Sequence, residues 1–158
     1  MVISLEKRDL SQRNSRLSRL GFLVHESYFD DLEVLYALGQ ELGLQRENVE
    51  ILTFSESRKK VEDSTKKQIT KNDFSWRGEI LAKDAEDFLN VPFDVIIGIY
   101  EKKHGFLDVL VSKSSAKFKM GFYGADPRLY DLLLDINPKN IEALKVTTKT
   151  YLKIFNKI

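Results

Sequence analysis

The two histidines of the chain, His25 and His104, are the residues best suited to chemistry near neutral pH. Each follows a short apolar run, and each has a carboxylate in the same loop, Glu26 beside His25 and Glu101 close to His104. Imidazoles bind zinc and related metals or transfer protons near pH 7, and carboxylates share either task. The pattern predicts a candidate catalytic or metal site at these four residues, with unrelated surface positions as the alternative.

The four residues can meet only if neighbouring strands deliver them to one edge of a sheet. Residues 93–100, FDVIIGIY, are almost all apolar and often β-branched, which predicts a central parallel strand covered on both faces. Residues 20–24, LGFLV, predict the first strand. Ligand crevices in such sheets lie at the carboxyl ends of strands, where the strand order reverses. We therefore expect the loops 24–28 and 100–105 to face each other across such a crevice.

The rest of the chain supplies alternating strands and helices. The predicted order is β, α, β, an additional β, then α, β, α, β, β, α, which indicates the α/β class. We predict a three-layer Rossmann-like sandwich with a mainly parallel sheet of about 5–6 strands. Further strands are predicted at 49–54, 74–80 and 117–123, and helices at about 30–42, 83–90, 106–113 and 138–155. Residues 130–136 predict a last strand, with a short helix starting at Asp126 and Pro127 as the alternative.

The length of 158 residues suits a single domain. We predict one α/β domain over residues 1–158, with two segments that add little to its core. Residues 1–19 form a mildly basic leader. Residues 56–73 are polar, with Val61 and Ile69 as isolated hydrophobes, which predicts a surface excursion or a frayed helix.

Composition excludes several classes of chemistry. The chain has no cysteine, so it has no disulfide, no thiolate nucleophile and no Cys-ligated zinc or iron–sulfur site. The net charge of +1 argues against nucleic acid as a partner. We find no signal peptide and no apolar run near the roughly 20 residues of a membrane span, which predicts a cytoplasmic protein without a membrane partner. The charge identifies no partner, and a protein partner or a homodimer stays open.

Familiar nucleotide and catalytic motifs are missing from the sequence. Gly121 and Gly124 form a GxxG pattern after a predicted strand and are weak candidates for cofactor or phosphate binding. No GKS or GKT follows them, and GxGxxG, GxSxG, HExxH and DxDxDG are all absent. The sequence therefore identifies no cofactor.

Several segments together resemble a known family. FDVIIGIYE, SSAKFKMGFYG and RLYDLLLDI, with DFSWRGEI upstream and TYLKIFNKI at the end, resemble small uncharacterised proteins from Flavobacteria and other Bacteroidetes. The likeness runs from about residue 20 onward. That family is a domain of unknown function, so the resemblance implies a single cytoplasmic α/β domain and transfers no catalytic residue.

A fainter likeness concerns the strand, helix and strand from FDVIIGIY to AKFKMGFYG. This stretch is similar to the amino-terminal Rossmann-like half of heptosyltransferase-type glycosyltransferases. Those enzymes need a second such domain to hold the nucleotide-sugar, so the likeness implies a fold and no sugar transfer.

Three functional hypotheses follow. The first is a non-enzymatic binding or interaction module, because a complete core comes without a catalytic signature. The second is a small enzyme or metal-dependent protein that uses the crevice around the two histidines. The third is an anion or nucleic-acid binder that uses the basic leader and a lysine row near the end of the chain, formed by Lys145, Lys149, Lys153 and Lys157.

Overall fold

The fold is built on one sheet of six parallel strands. The computed structural model describes residues 15–57 and 66–158. Its strands are β1 (Leu20–His25), β2 (Val49–Ser55), β3 (Lys67–Thr70), β4 (Val95–Ile99), β5 (Phe118–Phe122) and β6 (Leu132–Leu134). They are ordered β3-β2-β1-β4-β5-β6, and every neighbouring pair is parallel.

Helices cover both faces of this sheet. They are α1 (Glu33–Glu41), α2 (Lys83–Asn90), α3 (Gly105–Lys113) and α4 (Ile141–Ile154), with short 3-10 turns at Arg46–Asn48 and Lys71–Asp73. The apolar residues of α1 and α4 pack on one face, and those of α2 and α3 pack on the other. This arrangement confirms the predicted three-layer Rossmann-like fold.

The strand order reverses between β1 and β4. From β1 the chain moves outward to β2 and β3, and then returns to the other side of β1 to form β4. Every residue of β4 is buried, as expected for a strand covered on both faces. The carboxyl ends of β2, β1 and β4 therefore lie side by side at the reversal, where ligand crevices form in sheets of this kind.

Two segments differ from the sequence-based expectation. Residues 74–80 do not form a strand, because the chain turns back on itself and leaves only one antiparallel bridge, Phe74 to Ile80. The turn is closed by a bond from the backbone N–H of Gly78 to the carbonyl of Ser75, and Gly78 has a φ of +82°. Within the predicted excursion 56–73, the edge strand β3 is too short to produce a recognisable hydrophobic pattern, although Ile69 is fully buried.

The predicted basic leader lies partly outside the described residues, which begin at residue 15. The described part is tied to the core. The backbone N–H of Leu17 donates to the carbonyl of Lys157 over 2.7 Å, and Ser18 and Arg19 contact Asp94.

The lysine row near the end of the chain, which the sequence analysis placed in a possible anion-binding surface, is not a row of four exposed cations. Lys157 is fully buried, with its Nζ 3.2 Å from the carbonyl of Ser15 and 4.8 Å from the centre of the Phe118 ring. Burial lowers the pKa of this lysine. Lys145 is paired with Glu41 at 3.5 Å, so the row does not present four equivalent free cations.

Among the described helices, none combines the length and the hydrophobicity that a membrane-spanning segment needs.

Candidate functional site

Three adjacent strands deliver three ligand-type side chains to one edge of the sheet. His25 is the last residue of β1, Glu56 directly follows β2, and His104 precedes α3 after β4. Because β1 pairs in parallel with both β2 and β4, the ends of these strands are neighbours. The fold therefore brings together residues that are far apart in the sequence.

The three side chains meet at a single carboxylate oxygen. His25 Nε2 lies 2.9 Å from Glu56 Oε1, and His104 Nε2 lies 3.1 Å from the same oxygen. The three potential ligand atoms are all within 4.8 Å of one another. The two imidazole rings are 5.6 Å apart between centroids and stand edge to face. We call these three residues the His–Glu–His cluster.

The cluster has a protected side and an open side. The side chains of His25 and His104 are only 14% and 18% exposed, whereas that of Glu56 is 61% exposed. The ring of Phe54 packs against His104 with centroids 4.8 Å apart, and Phe106 lies beyond it. The imidazoles are therefore held on an aromatic base, and the carboxylate faces solvent.

The electrostatics of the cluster keep Glu56 charged. Hydrogen bonds from His25 and then from His104 lower the pKa of its carboxyl group. The carboxylate consequently remains an acceptor, or a metal ligand, throughout the neutral range.

The other ring nitrogens also have partners. His25 Nδ1 lies 2.7 Å from Ser27 Oγ and accepts a longer bond from the backbone N–H of Ser27 at 3.2 Å. His104 Nδ1 accepts from the backbone N–H of Leu107 at 3.2 Å and so caps α3. Without a metal ion, both Nδ1 atoms act as acceptors, and both Nε2–H groups donate to Glu56.

Of the four residues proposed from the sequence, the structure brings His25 and His104 together, while the carboxylate between them is Glu56. Glu26 has a supporting position, because its Oε1 accepts the backbone N–H of Glu56 at 3.0 Å. Glu101 instead lies beside Tyr28.

Glu56 was missed because it opens a long polar stretch that was assigned to the surface. A usable signal was present, since Glu56 follows directly on the end of the apolar strand β2. Polar residues in that position at the ends of neighbouring parallel strands belong to one edge of the sheet.

The two glycines proposed for phosphate binding lie in β5 and in the turn that follows it. The position of a Cβ on Gly121 is taken by the ring of Tyr130, which would be 2.7 Å away. Gly124 has a φ of +101° in the turn after β5, and a Cβ there would be 4.0 Å from the backbone nitrogen of Lys102. Gly121 therefore makes room for an aromatic side chain of the protein itself.

A cavity of about 240 Å³ adjoins the His–Glu–His cluster. Two larger cavities beside α1 and β3 contain neither histidine. The cavity at the cluster is lined by His25, Ser27, Tyr28, Tyr100, Glu101, His104 and Lys139.

Tyr28 gives this cavity a buried hydroxyl group. Burial, followed by the neighbouring Glu101 carboxylate, raises the pKa of Tyr28, so this hydroxyl stays protonated. It makes no well-formed hydrogen bond within the described residues, although Glu101 is near. Lys139 Nζ stands 5.5 Å from the centre of the Tyr28 ring and contributes a positive charge to the wall.

Two imidazoles and one carboxylate form a donor set that suits zinc or iron(II), with further coordination positions left for water or substrate. As hydrogen-bonded groups, the same residues suit proton transfer.

Comparison with known proteins places the chain in a family. No curated protein and no solved structure shows significant similarity to it. The model of one protein family matches residues 3–155, nearly the whole chain, and the description of that family is "Family of unknown function (DUF6913)". Because the match covers far more than half of the sequence, the chain belongs to family DUF6913.

Proposed function

We propose that the protein binds one divalent transition-metal ion, zinc in the first instance, through His25, Glu56 and His104. One observation carries the proposal: three ligand atoms from the ends of three adjacent strands lie within 4.8 Å of one another beside a cavity. The proposal replaces the four-residue site predicted from the sequence and favours the metal-dependent enzyme over the interaction module.

The spacing of the ligand atoms supports a metal of this size. Ligands about 2.0–2.1 Å from a tetrahedral zinc ion are separated from each other by roughly 3.3 Å. The two N to O distances of 2.9 and 3.1 Å are slightly shorter, whereas the ligand atoms are separated by up to 4.8 Å overall. The two imidazoles must therefore approach each other by roughly 1 Å or more to share one ion. Two neutral imidazoles and one carboxylate would leave a zinc site with a charge of +1.

Metal binding requires each ring to move its proton from Nε2 to Nδ1. At His25, Ser27 Oγ, 2.7 Å from Nδ1, can accept the proton as well as donate, and the 3.2 Å bond from the backbone N–H of Ser27 would be given up. At His104 the protonated Nδ1 would face the N–H of Leu107, so the longer 3.2 Å cap of α3 would be given up. Binding should therefore loosen the first turn of α3.

The chemistry of such an ion fits the adjoining cavity. Zinc with three protein ligands keeps an open position and lowers the pKa of a bound water to about 7. The cavity of about 240 Å³ accommodates only a small molecule, and its wall carries one positive charge, on Lys139, and one negative charge, on Glu101. We therefore propose a small metal-dependent enzyme whose substrate is a compact polar molecule.

The experiment is a calorimetric titration of tag-free protein with zinc, cobalt(II), iron(II) and manganese(II), accompanied by thermal unfolding. We expect one ion per chain, with a Kd below about 1 μM for zinc and a rise in Tm that increases with metal concentration. His25→Gln should abolish binding. Glu79→Gln, which removes a carboxylate in the 74–80 turn, is the control and should bind as the wild type does. Absence of stoichiometric binding of all four metals would refute the proposal.

A metal-free enzyme is the second candidate, and the position of Ser27 favours it. Ser27 Oγ, His25 and Glu56 Oε1 follow one another at 2.7 and 2.9 Å, the order of hydroxyl, imidazole and carboxylate used in acyl transfer. This candidate predicts ester hydrolysis that resists chelators and is lost in Ser27→Ala. The metal proposal predicts instead that Ser27→Ala retains zinc binding.

One observation supports the hypothesis of an interaction module, namely two exposed apolar side chains in the segment after β3. Trp76 is 84% exposed and Leu81 is 62% exposed. Sedimentation of wild-type protein and of Trp76→Ser tests for self-association. A concentration-dependent dimer that is lost in the variant would support this module, and a monomer in both would argue against a homodimer through Trp76.

A further inference from the structure

A chain of three buried polar side chains leads from the sheet to the backbone of His104. The Tyr130 hydroxyl donates to the Tyr100 hydroxyl over 2.6 Å, and Tyr100 donates to Asp108 Oδ1 over 2.7 Å. Asp108 Oδ2 accepts the backbone N–H of His104 at 3.2 Å. The three side chains are at least nine-tenths buried. This series of hydrogen bonds ends at the backbone of His104, a proposed metal ligand. We call the three side chains the tyrosine–aspartate chain.

The strands are shaped to admit the tyrosine–aspartate chain. Tyr130 crosses β4 and β5 at Gly98 and Gly121. A Cβ on Gly98 would stand 2.5 Å from the Tyr130 hydroxyl oxygen, and one on Gly121 would stand 2.7 Å from its ring. Glycine inside a strand is unfavourable for the strand itself, so these two positions serve the close approach of Tyr130.

Each hydrogen bond between the side chains of the tyrosine–aspartate chain has one defined donor. Burial raises the pKa of both Tyr100 and Tyr130, so their hydroxyl groups stay protonated. Tyr130 therefore donates to Tyr100, which is left with its own proton for Asp108. Since a buried carboxylate without donors is very costly, Tyr100 holds Asp108 in the orientation that reaches residue 104.

Metal binding makes this support more important. Once zinc occupies Nε2 of His104, the proton on Nδ1 prevents that nitrogen from accepting the N–H of Leu107. Asp108 then provides the remaining side-chain hydrogen bond at the start of α3, and it keeps the backbone of His104 in place.

We infer that Tyr130, Tyr100 and Asp108 are positioning residues that hold His104 for metal binding. The inference rests on the proposed metal site. It gives a role to polar groups that lie in the core and do not themselves belong to the His–Glu–His cluster.

The test compares Tyr100→Phe and Tyr130→Phe with the wild type in zinc competition against a chromophoric chelator. Each variant removes one hydroxyl and keeps the ring that fills the space. Loss of outer partners of metal ligands lowers affinity about 10–100-fold, so we expect roughly a 10-fold higher Kd for Tyr100→Phe and a smaller increase for Tyr130→Phe. The visible absorption bands of the cobalt(II) form should change in intensity in both variants.

Thr148→Val is the matched control. The Thr148 hydroxyl is buried in α4, on the other face of the sheet, and makes no hydrogen bond within the described residues. This variant should keep the wild-type Kd and cobalt spectrum.

The outcomes test the metal site and the positioning role of the tyrosine–aspartate chain separately. If wild-type protein binds zinc and both tyrosine variants bind it equally well with unchanged cobalt spectra, the positioning role is wrong and the metal site stands. If wild-type protein binds no zinc, both are wrong. Should Tyr100→Phe fail to fold, Tyr130→Phe, which lies one step farther from His104, decides the question.

Discussion

Two carboxylates lie at opposite ends of the parallel strands of the same sheet, and their surroundings differ. Asp94, just before β4, is buried, and its Oδ2 accepts from the backbone N–H and hydroxyl of Ser18 at 2.8 and 2.7 Å and from the N–H of Arg19 at 2.9 Å. Lys117 Nζ lies 3.1 Å from the other oxygen. Glu56 is mostly exposed, and its Oε1 is shared by His25 and His104. Asp94 is enclosed by donors that belong to the fold, while Glu56 faces a cavity through two imidazoles.

The pKa values of these two carboxylates move in the same direction for different reasons. Burial acts to raise the pKa of Asp94, but hydrogen bonds from Ser18, Arg19 and Lys117 outweigh it, and the pKa is lowered. Hydrogen bonds from His25 and His104 lower the pKa of Glu56. The donors to Asp94 cannot be replaced by a metal, whereas the donors to Glu56 can themselves become metal ligands. The contrast separates a structural carboxylate, Asp94, from Glu56, the carboxylate that we propose binds a metal ion.

The largest effect expected is on stability, in Asp94→Ala. This substitution leaves the donors of Ser18 and Arg19 without their acceptor, and it should lower the free energy of unfolding by about 3 kcal/mol in urea titrations. Zinc affinity of the folded variant should match that of the wild type. If the free energy of unfolding fell by less than about 1 kcal/mol, Asp94 would not be a structural carboxylate.

The complementary substitution is Glu56→Gln. It removes the charge but keeps the shape, so zinc affinity should fall by about 100-fold, equivalent to roughly 2.7 kcal/mol. The free energy of unfolding of the metal-free protein should change by less than about 0.5 kcal/mol, because the side chain is exposed. Equal zinc binding by the variant and the wild type would remove Glu56 from the site.

The pH dependence of stability should differ between the two carboxylates. A carboxyl group whose pKa is lowered by folding stabilises the protein above its unfolded pKa, near 4, and this contribution disappears as pH falls through the folded pKa. The difference in unfolding free energy between wild type and Asp94→Asn should therefore be full at pH 6 and shrink below about pH 4. The difference for Glu56→Gln should decrease over the same acidic range, because the pKa of Glu56 is also lowered, but it should be smaller since the side chain is exposed. If the difference in unfolding free energy between wild type and Asp94→Asn became larger in acid, Asp94 would not be the structural carboxylate.

The smallest effect concerns Glu26, which supports Glu56 through its backbone. Glu26→Gln retains an acceptor for the N–H of Glu56, so we expect about a 3-fold loss of zinc affinity, and Glu26→Ala should lose about 10-fold. Competition with a chelator measures both. If Glu26→Ala binds zinc as tightly as the wild type, Glu26 has no share in positioning Glu56.

Much of the fold could be predicted from the sequence because its central elements have strong patterns. The buried run that became β4 and the helix Lys83–Asn90 were predicted in place, and the reversal of strand order beside β1 followed from the alternation of elements. The strand β3 was not predicted, because an edge strand of four residues needs few hydrophobic residues. The predicted strand at 74–80 was wrong because alternating aromatic residues also occur in the turn around Gly78.

The candidate site was only half predictable. The two histidines stood out by chemistry and by their place after apolar runs, and the fold does bring them together. Glu56 and Asp108 did not stand out, because a glutamate in a polar stretch and an aspartate on a helix are common. Only three-dimensional distances show that Glu56 lies between the imidazoles and that Asp108 holds the backbone of His104.

The most direct measurement uses the fact that the chain has only two histidines. Long-range proton–nitrogen spectra of tag-free, ¹⁵N-histidine-labelled protein report the protonation state of every ring nitrogen, and His25→Gln assigns the two signals. Before zinc, we predict protons on Nε2 of both rings; after one equivalent, both Nε2 atoms should carry the metal and both protons should have moved to Nδ1. Spectra that keep Nε2–H on both rings in the presence of stoichiometric zinc would contradict the metal site.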